Sequence, residues 1–243
     1  MAKNFLESEG YSIVKSWLGE KGFEPFGFQL ETWEKFGKNY SGMVIAPTGF
    51  GKTYSVFLAV ITDFLNNPEN YKDGLQLLWI TPLRALAKDI AKAMTEAIDE
   101  IGLDWKVAVR NGDTPQAERV SQTKKMPEIL IITPESLQLL LAQKNNHRFF
   151  KNLKCVAVDE WHELLGSKRG VLVELALSQI ISYQKKLKIW GITATIGNLD
   201  EAMEVLIPYP IKKTKVVAKE KKKIDIIPIF PDEVEILPWA GHL

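Results

Sequence analysis

The chain has 243 residues, 46% of them hydrophobic, a length and apolar share that suit one large α/β domain with a buried core better than two very small ones. Lys and Arg number 31 against 30 Asp and Glu, so the net charge of +1 announces no nucleic-acid partner, and any such binding must come from local placement. The lone cysteine, Cys155, excludes internal disulfides and cysteine-rich metal sites, while the absence of a signal-like N-terminus or a membrane-length apolar run gives a cytoplasmic expectation.

In chain order, apolar runs of strand length alternate with helical stretches. The strands are expected at Met43 to Ala46, Gln76 to Thr81, Val107 to Arg110, Ile129 to Thr133, Cys155 to Asp159 and Lys188 to Thr193. Helices are expected near 52–66, 83–100, 115–125, 134–143, 171–185 and 199–206. In the third helix, Thr114 followed by Pro115 reads as an N-cap and first-turn pair, with Glu118 completing a capping arrangement. This alternation is the signature of a mainly parallel sheet with helices on both faces, and it makes the carboxyl ends of the strands the ligand edge.

The first strand runs into Ala46-Pro47-Thr48-Gly49-Phe50-Gly51-Lys52-Thr53 and then into a helix, the context a phosphate-binding loop requires. Gly49 and Gly51 permit the tight turn that brings N–H groups against phosphate oxygens, aided by the positive end of the helix. Lys52 is placed to reach the β- and γ-phosphates and Thr53 to ligate magnesium. Ala46 stands where the general pattern has its first glycine.

The fifth strand ends in Asp159-Glu160-Trp161-His162. An acidic pair by itself is weak evidence, but beyond an apolar strand and downstream of the loop it gains a role for each member. Asp159 suits magnesium, which prefers oxygen ligands, and Glu160 suits orienting and deprotonating an attacking water. The lysine-rich run at 212–223 reads as a solvated strand or loop, with a polyanion contact as the minor alternative; 224–230 is apolar and 231–243 irregular.

With Asp159 to His162 as motif II and Thr193-Ala194-Thr195 as motif III, the chain resembles the first RecA-like lobe of a superfamily 2 DExH-box helicase. The stretch from Asp159 to Gly170, reading DEWHELLGSKRG, is similar to the Lhr (large helicase-related) group, and within it to the ligase-associated DNA damage response DEXH-box helicases. The likeness runs from Phe26 to Trp239. It implies a RecA-like P-loop NTPase fold as a single domain over 1–243, with a Q-motif region at about 5–40 and a motor core at about 41–230.

The resemblance further implies ATP and Mg2+ as cofactors. Gln29 would read the adenine edge, although alone it reads as a surface helix residue, and Phe23 or Phe26 would stack on the base. Pro47, Thr48, Gly49, Phe50, Gly51, Lys52 and Thr53 would hold the phosphates, with Glu160, Asp159 and Lys52 catalytic. Thr81 to Leu86 resembles motif Ia and Thr133 to Ser136 motif Ib, which makes Arg84, Asp113, Thr114, Thr133 and Glu135 candidate nucleic-acid residues. Helix capping and turn formation stay open as alternatives at these threonines and at Asp113. His162, Thr193 and Thr195 would couple the hydrolytic site to the nucleic acid, while Lys168 and Arg169 are candidates for nucleic acid or a neighbouring domain, with a solvated loop as the equal alternative.

As a whole, the resemblance implies an ATP-dependent DNA helicase tracking along a single strand in the 3′ to 5′ direction, in repair, with a DNA ligase and a nuclease as partners. Such motors have a second RecA-like lobe and C-terminal modules, which do not occur before Leu243, so the chain is expected to be the first lobe of a longer protein and nearly inactive alone. A nucleic-acid-binding module that holds ATP without turnover, and the motor of a restriction or CRISPR-associated nuclease, are the competing readings; the second lacks a nuclease carboxylate cluster.

Overall fold

Residues 5–194, 197–208 and 210–219 are described by the computed structural model. Seven strands form its sheet: β1 (Ser41–Ile45), β2 (Leu77–Ile80), β3 (Val107–Arg110), β4 (Ile129–Ile132), β5 (Cys155–Val158), β6 (Lys188–Thr193) and β7 (Lys213–Val217). Runs such as Leu77-Leu78-Trp79-Ile80 and Ile129 to Ile132 are buried at every position, as a sheet covered on both faces demands. All pairings are parallel and the order is β3-β4-β2-β5-β6-β1-β7.

Alternate side chains feed two cores. Leu77, Trp79, Ala157 and Trp190 pack with Val14, Trp33, Phe57 and Met94 from α1 (Glu9–Glu20), α2 (Gly27–Gly37), α3 (Lys52–Asn66) and α4 (Arg84–Ile101). Leu78, Ile132, Val156 and Ile189 pack on the other face with residues of α6 (Pro134–Leu141), α7 (His147–Phe150), α8 (Trp161–Leu164), α9 (Lys168–Tyr183) and α10 (Leu199–Leu206). The period of two along each strand divides the cores, and α5 (Gln116–Lys124) lies outside both with only Gln122 buried. Cys155 is fully buried, and burial pushes its thiol far up, so it is an inert core residue.

The six expected strands and six expected helices are all present, with ends shifted by a few residues; the structure adds α1, α2, α7 and α8, and of the strand or loop expected in the lysine run it makes the strand β7. The N-cap expected at Thr114 is not made. Its hydroxyl instead accepts from the Asn111 N–H at 2.9 Å, inside the loop, and α5 starts at Gln116. The helix expected from 171 starts at Lys168, because the Ser167 hydroxyl accepts from the Gly170 N–H at 3.1 Å and caps it. The chain from α1 through α2 escaped the periodicity reading, since Gly10, Gly19, Gly22, Gly27 and Gly37 dilute the helical pattern.

β7 settles the described part of the lysine run. Lys213 pairs with Glu204 at 2.5 Å, Lys215 pairs with Asp200, and the Lys212 ammonium lies 3.9 Å from the centre of the Tyr40 ring. These lysines have partners at the surface of the fold, on an edge strand where charge also discourages pairing with other chains. Lys221 to Lys223 and everything after them, including Trp239, lie outside the described residues, as does Thr195. Among the described residues no helix is long and apolar enough to cross a membrane.

The strand order has one direct consequence for function. The carboxyl ends of β5, β6 and β1 stand side by side on one half of the edge, and those of β3, β4 and β2 on the other.

Candidate nucleotide site and nucleic-acid edge

Between β1 and α3 the chain turns through Gly49 at φ +89° and Gly51 at φ +67°, left-handed values that a side chain at either position would strain. The amide of Gln29, only 5% exposed, reaches this turn from α2: its Nε2 donates to the Gly51 carbonyl at 3.0 Å and its Oε1 accepts from the Phe26 N–H at 2.9 Å. Gln29 therefore ties the start of α2 to the phosphate loop, which a surface helix residue would not do. Beside it, the rings of Phe26 and Phe50 lie 5.4 Å apart, whereas Phe23 is 63% exposed.

Lys52 opens α3 and is buried, with its Nζ 3.3 Å from Oε1 of Glu160. Glu160 has φ +46° and ψ +47°, a conformation that costs a non-glycine residue about 1–3 kcal/mol and persists only where its surroundings hold it. That turn swings the carboxylate from the end of β5 toward the loop. The neighbouring Asp159, 6% exposed, accepts from the Glu160 N–H at 3.1 Å. Burial first, and the Glu160 carboxylate second, push the Asp159 pKa up to about 6, against the opposing pull of Lys52 and the Glu160 N–H.

From Glu160 the contacts continue along the edge. His162 Nδ1 lies 3.3 Å from Glu160 Oε2 and 3.0 Å from the hydroxyl of Thr193 at the end of β6, while its Nε2 is 3.4 Å from Glu163. Lys52, Glu160, His162 and Thr193 thus form one connected line across three strand ends. Trp161 anchors this line from behind, donating its indole N–H to the Ala202 carbonyl of α10 at 2.9 Å.

The other half of the edge carries the remaining candidates. Arg84, at the start of α4, reaches Asp113 at 3.2 Å, both side chains being well exposed. The Thr114 hydroxyl is used inside the 111–114 loop, and Thr133 is buried with its hydroxyl donated to Ser136 at 3.2 Å, so both groups are engaged within the fold. Glu135, in the first turn of α6, holds Arg169 of α9 through two hydrogen bonds of 2.6 and 3.3 Å.

Two arginines that sequence reasoning passed over hold this half together. Arg119 grips the carbonyls of Asn111, Gly112 and Thr114 at 2.8–3.0 Å, and the buried Arg110 donates to the Arg119 carbonyl at 3.0 Å. Their one sequence signal was the presence of basic residues next to a turn, which does not distinguish a brace from a solvated charge. Among the described residues no group of three acidic, histidine or cysteine side chains forms a metal cage. Two oxygen ligands with the rest supplied by phosphates and water remain compatible with magnesium.

A DEAD/DEAH box helicase family model matches residues 27–202. The ATP-dependent helicase Lhr-Core of Methanocaldococcus jannaschii is 32% identical over 95% of this chain and 29% of its own length. Among solved structures, the Mycobacterium smegmatis helicase Lhr bound to ssDNA and AMP-PNP superposes with a TM-score of 0.74 at 28% identity, covering 91% of this chain and 29% of that one. The DUF1998 helicase MrfA bound to DNA gives a TM-score of 0.74 at 27% identity, covering 86% of this chain and 30% of its own. The chain spans less than a third of each of these proteins. With a RecA-like sheet, a phosphate loop facing an Asp-Glu pair at its carboxyl edge, and a family match over well more than half its length, the chain belongs to the DEAD/DEAH box helicases.

Proposed function

We propose that this chain is the first motor lobe of an ATP-dependent DNA helicase or translocase, binding ATP with magnesium on one half of its edge and a nucleic-acid backbone on the other. The observation that carries this reading is the line from Lys52 through Glu160 and His162 to Thr193, which connects a phosphate-binding lysine to the interior of the edge. Lys52 binds the terminal phosphates, Gln29 reads the adenine edge while tethering the loop, and Pro47 to Thr53 supply the cradle. Glu160 orients the attacking water and takes its proton.

Asp159 and Thr53 would hold the magnesium ion, and the buried Asp159 carboxylate, together with Glu160 Oε2, which among the described residues has the 3.3 Å approach of His162 but no hydrogen bond, fits a cationic neighbour. When bound, magnesium neutralises charge on the terminal phosphates. His162 and Thr193, with Thr195, couple the state of the nucleotide to the nucleic-acid half, where Arg84, Asp113, Thr114, Thr133 and Glu135 lie. The relatives named as bound to DNA support DNA as the polymer. A role in repair, beside a DNA ligase and a nuclease, rests on the resemblance of 159–170 alone, and a cytoplasmic setting on composition alone.

Phosphoryl transfer needs charge stabilisation from both sides of the transferring group, and an arginine finger is worth about 10³ to 10⁵ in rate. The lobe alone supplies the loop, the magnesium ligand and the base. Steady-state ATP hydrolysis is therefore expected near background for residues 1–243, with or without single-stranded DNA, and to become DNA-stimulated when a second RecA-like lobe is joined to it. Robust DNA-stimulated turnover by the 243-residue chain would show that one lobe suffices for hydrolysis and overturn this expectation.

A further inference from the structure

Glu135 is an awkward nucleic-acid contact, because a carboxylate repels a phosphodiester backbone. Its geometry suggests a different employment. The two oxygens of Glu135 meet Nε and Nη2 of Arg169 in a forked pair, 2.6 and 3.3 Å long, bridging the first turns of α6 and α9. Among the described residues, the Nη1 end of the guanidinium has no protein acceptor, and the Arg169 side chain is 37% exposed. Burial pushes the Glu135 pKa up, but the Arg169 hydrogen bond, its own backbone N–H and the Arg169 charge together bring it below its usual value, so the pair stays ionic.

Several independent devices fix this arginine. The Ser167 hydroxyl caps α9, accepting from the Gly170 N–H and donating to the Leu164 carbonyl at 2.6 Å. At Gly170 a Cβ would stand 2.2 Å from that same carbonyl, so only glycine lets α9 start this close to the loop. One turn further on, Gln138 of α6 donates to the Leu172 carbonyl of α9 at 2.7 Å. The Leu164 to Gly170 stretch, singled out in the sequence but unused by the nucleotide site, serves to place Arg169 at the end of β4, on the half of the edge away from the phosphate loop.

We propose that Arg169 contacts a phosphodiester of the bound strand and that Glu135 is its positioning residue rather than a contact in its own right. This rests on the functional reading above. A fork held at one side by a carboxylate leaves its remaining N–H groups aimed outward in a fixed plane, the geometry that suits a phosphate oxygen.

The test is fluorescence anisotropy of fluorescein-labelled oligo-dT with the 243-residue chain across a salt series, beside thermal melts of each variant. Arg169→Ala is expected to weaken binding about tenfold and to lower the slope of log affinity against log salt by about 0.7, one single-strand phosphate contact. Glu135→Gln removes a negative charge near a polyanion and so, if the carboxylate merely faced the strand, would tighten binding. If it positions Arg169, binding instead falls about three- to tenfold, and the double variant binds no worse than Arg169→Ala alone. Arg169→Lys keeps the charge without the fork and is expected to fall between wild type and Arg169→Ala.

Tighter binding by Glu135→Gln, or unchanged affinity and slope for Arg169→Ala, overturns the proposal. Should Glu135→Gln lose its fold, Arg169→Lys decides: wild-type binding overturns the forked role, and weaker binding at an unchanged melting temperature supports it. Absence of oligo-dT binding by the wild type at low salt sinks the functional reading itself and this proposal with it. That result is recognisable because no variant then differs from any other.

Discussion

The two halves of the sheet's carboxyl edge use the same chemical unit, a basic side chain held by a carboxylate, in opposite surroundings. Lys52 and Glu160 are 8% and 15% exposed, whereas Arg84 and Asp113 are 60% and 69% exposed. A buried pair is expensive to break because the survivor is left as an uncompensated charge, on the order of 3–5 kcal/mol. An exposed pair contributes about 0–1 kcal/mol to stability and leaves its charges available to a ligand. The half proposed to hold the nucleotide is therefore wired in advance and intolerant of change at Lys52 and Glu160, while on the other half the Arg84–Asp113 pair is weakly held and can exchange its partners.

The largest separation between the halves is expected from Lys52→Ala. It removes the cation facing the buried Asp159 and the part-buried Glu160 carboxylates, so ATP binding by calorimetry should fall below detection, and thermal unfolding should show a loss of up to about 3–5 kcal/mol. Unchanged ATP affinity would remove the phosphate-loop assignment, and unchanged stability would show that the Lys52–Glu160 pair does not hold the fold together.

Within the nucleotide half, Glu160→Gln in a two-lobe protein should keep ATP binding and lower turnover about a hundredfold or more, as loss of a general base does. Asp159→Ala should instead weaken magnesium-dependent nucleotide binding. Pre-steady-state ATP binding and hydrolysis, measured on both variants, sharpen the comparison, and indistinguishable behaviour would collapse the two roles into one.

Gln29 gives a smaller effect, since its amide both ties the loop and is proposed to face the base. A mispaired amide costs about 1–3 kcal/mol, so Gln29→Ala should narrow the ratio of ATP to GTP affinity by a corresponding factor. A lower affinity for both nucleotides at an unchanged ratio would assign Gln29 to the tether to Gly51 alone.

The smallest effect is expected on the exposed half. Asp113→Ala should change the unfolding free energy by no more than about 1 kcal/mol, measured by urea titration. A loss as large as that of Lys52→Ala would erase the contrast between the halves.

Much of this was legible in advance because it depends on local rules. A glycine-punctuated loop between an apolar strand and a helix can be read from residue types, and so can an acidic pair at the end of a buried strand. The apolar strands announced themselves because burial on both faces leaves near-continuous apolar runs such as Ile129 to Ile132. The first 40 residues did not, because their helices are interrupted by glycines and are stabilised by distant contacts, as when Trp17 donates to Glu100 of α4 at 2.7 Å. The capping reading of Thr114 failed for a related reason: the hydroxyl found a better acceptor role within a loop that Arg119 closes.

The sequence by itself determined that the chain is an α/β domain with a phosphate loop and an acidic pair, since helix and strand periods and turn chemistry act over a few residues. Tertiary structure alone decided which strand ends are neighbours. The order β3-β4-β2-β5-β6-β1-β7 puts Glu160 within 3.3 Å of Lys52, and the packing of α6 against α9 brings Glu135 to Arg169. Such pairings join segments far apart in the chain, and a side chain's own neighbours in sequence carry no record of the charge it will meet across the sheet. That is why Glu135 reads as a backbone contact in a motif and becomes, in the fold, the support of an arginine.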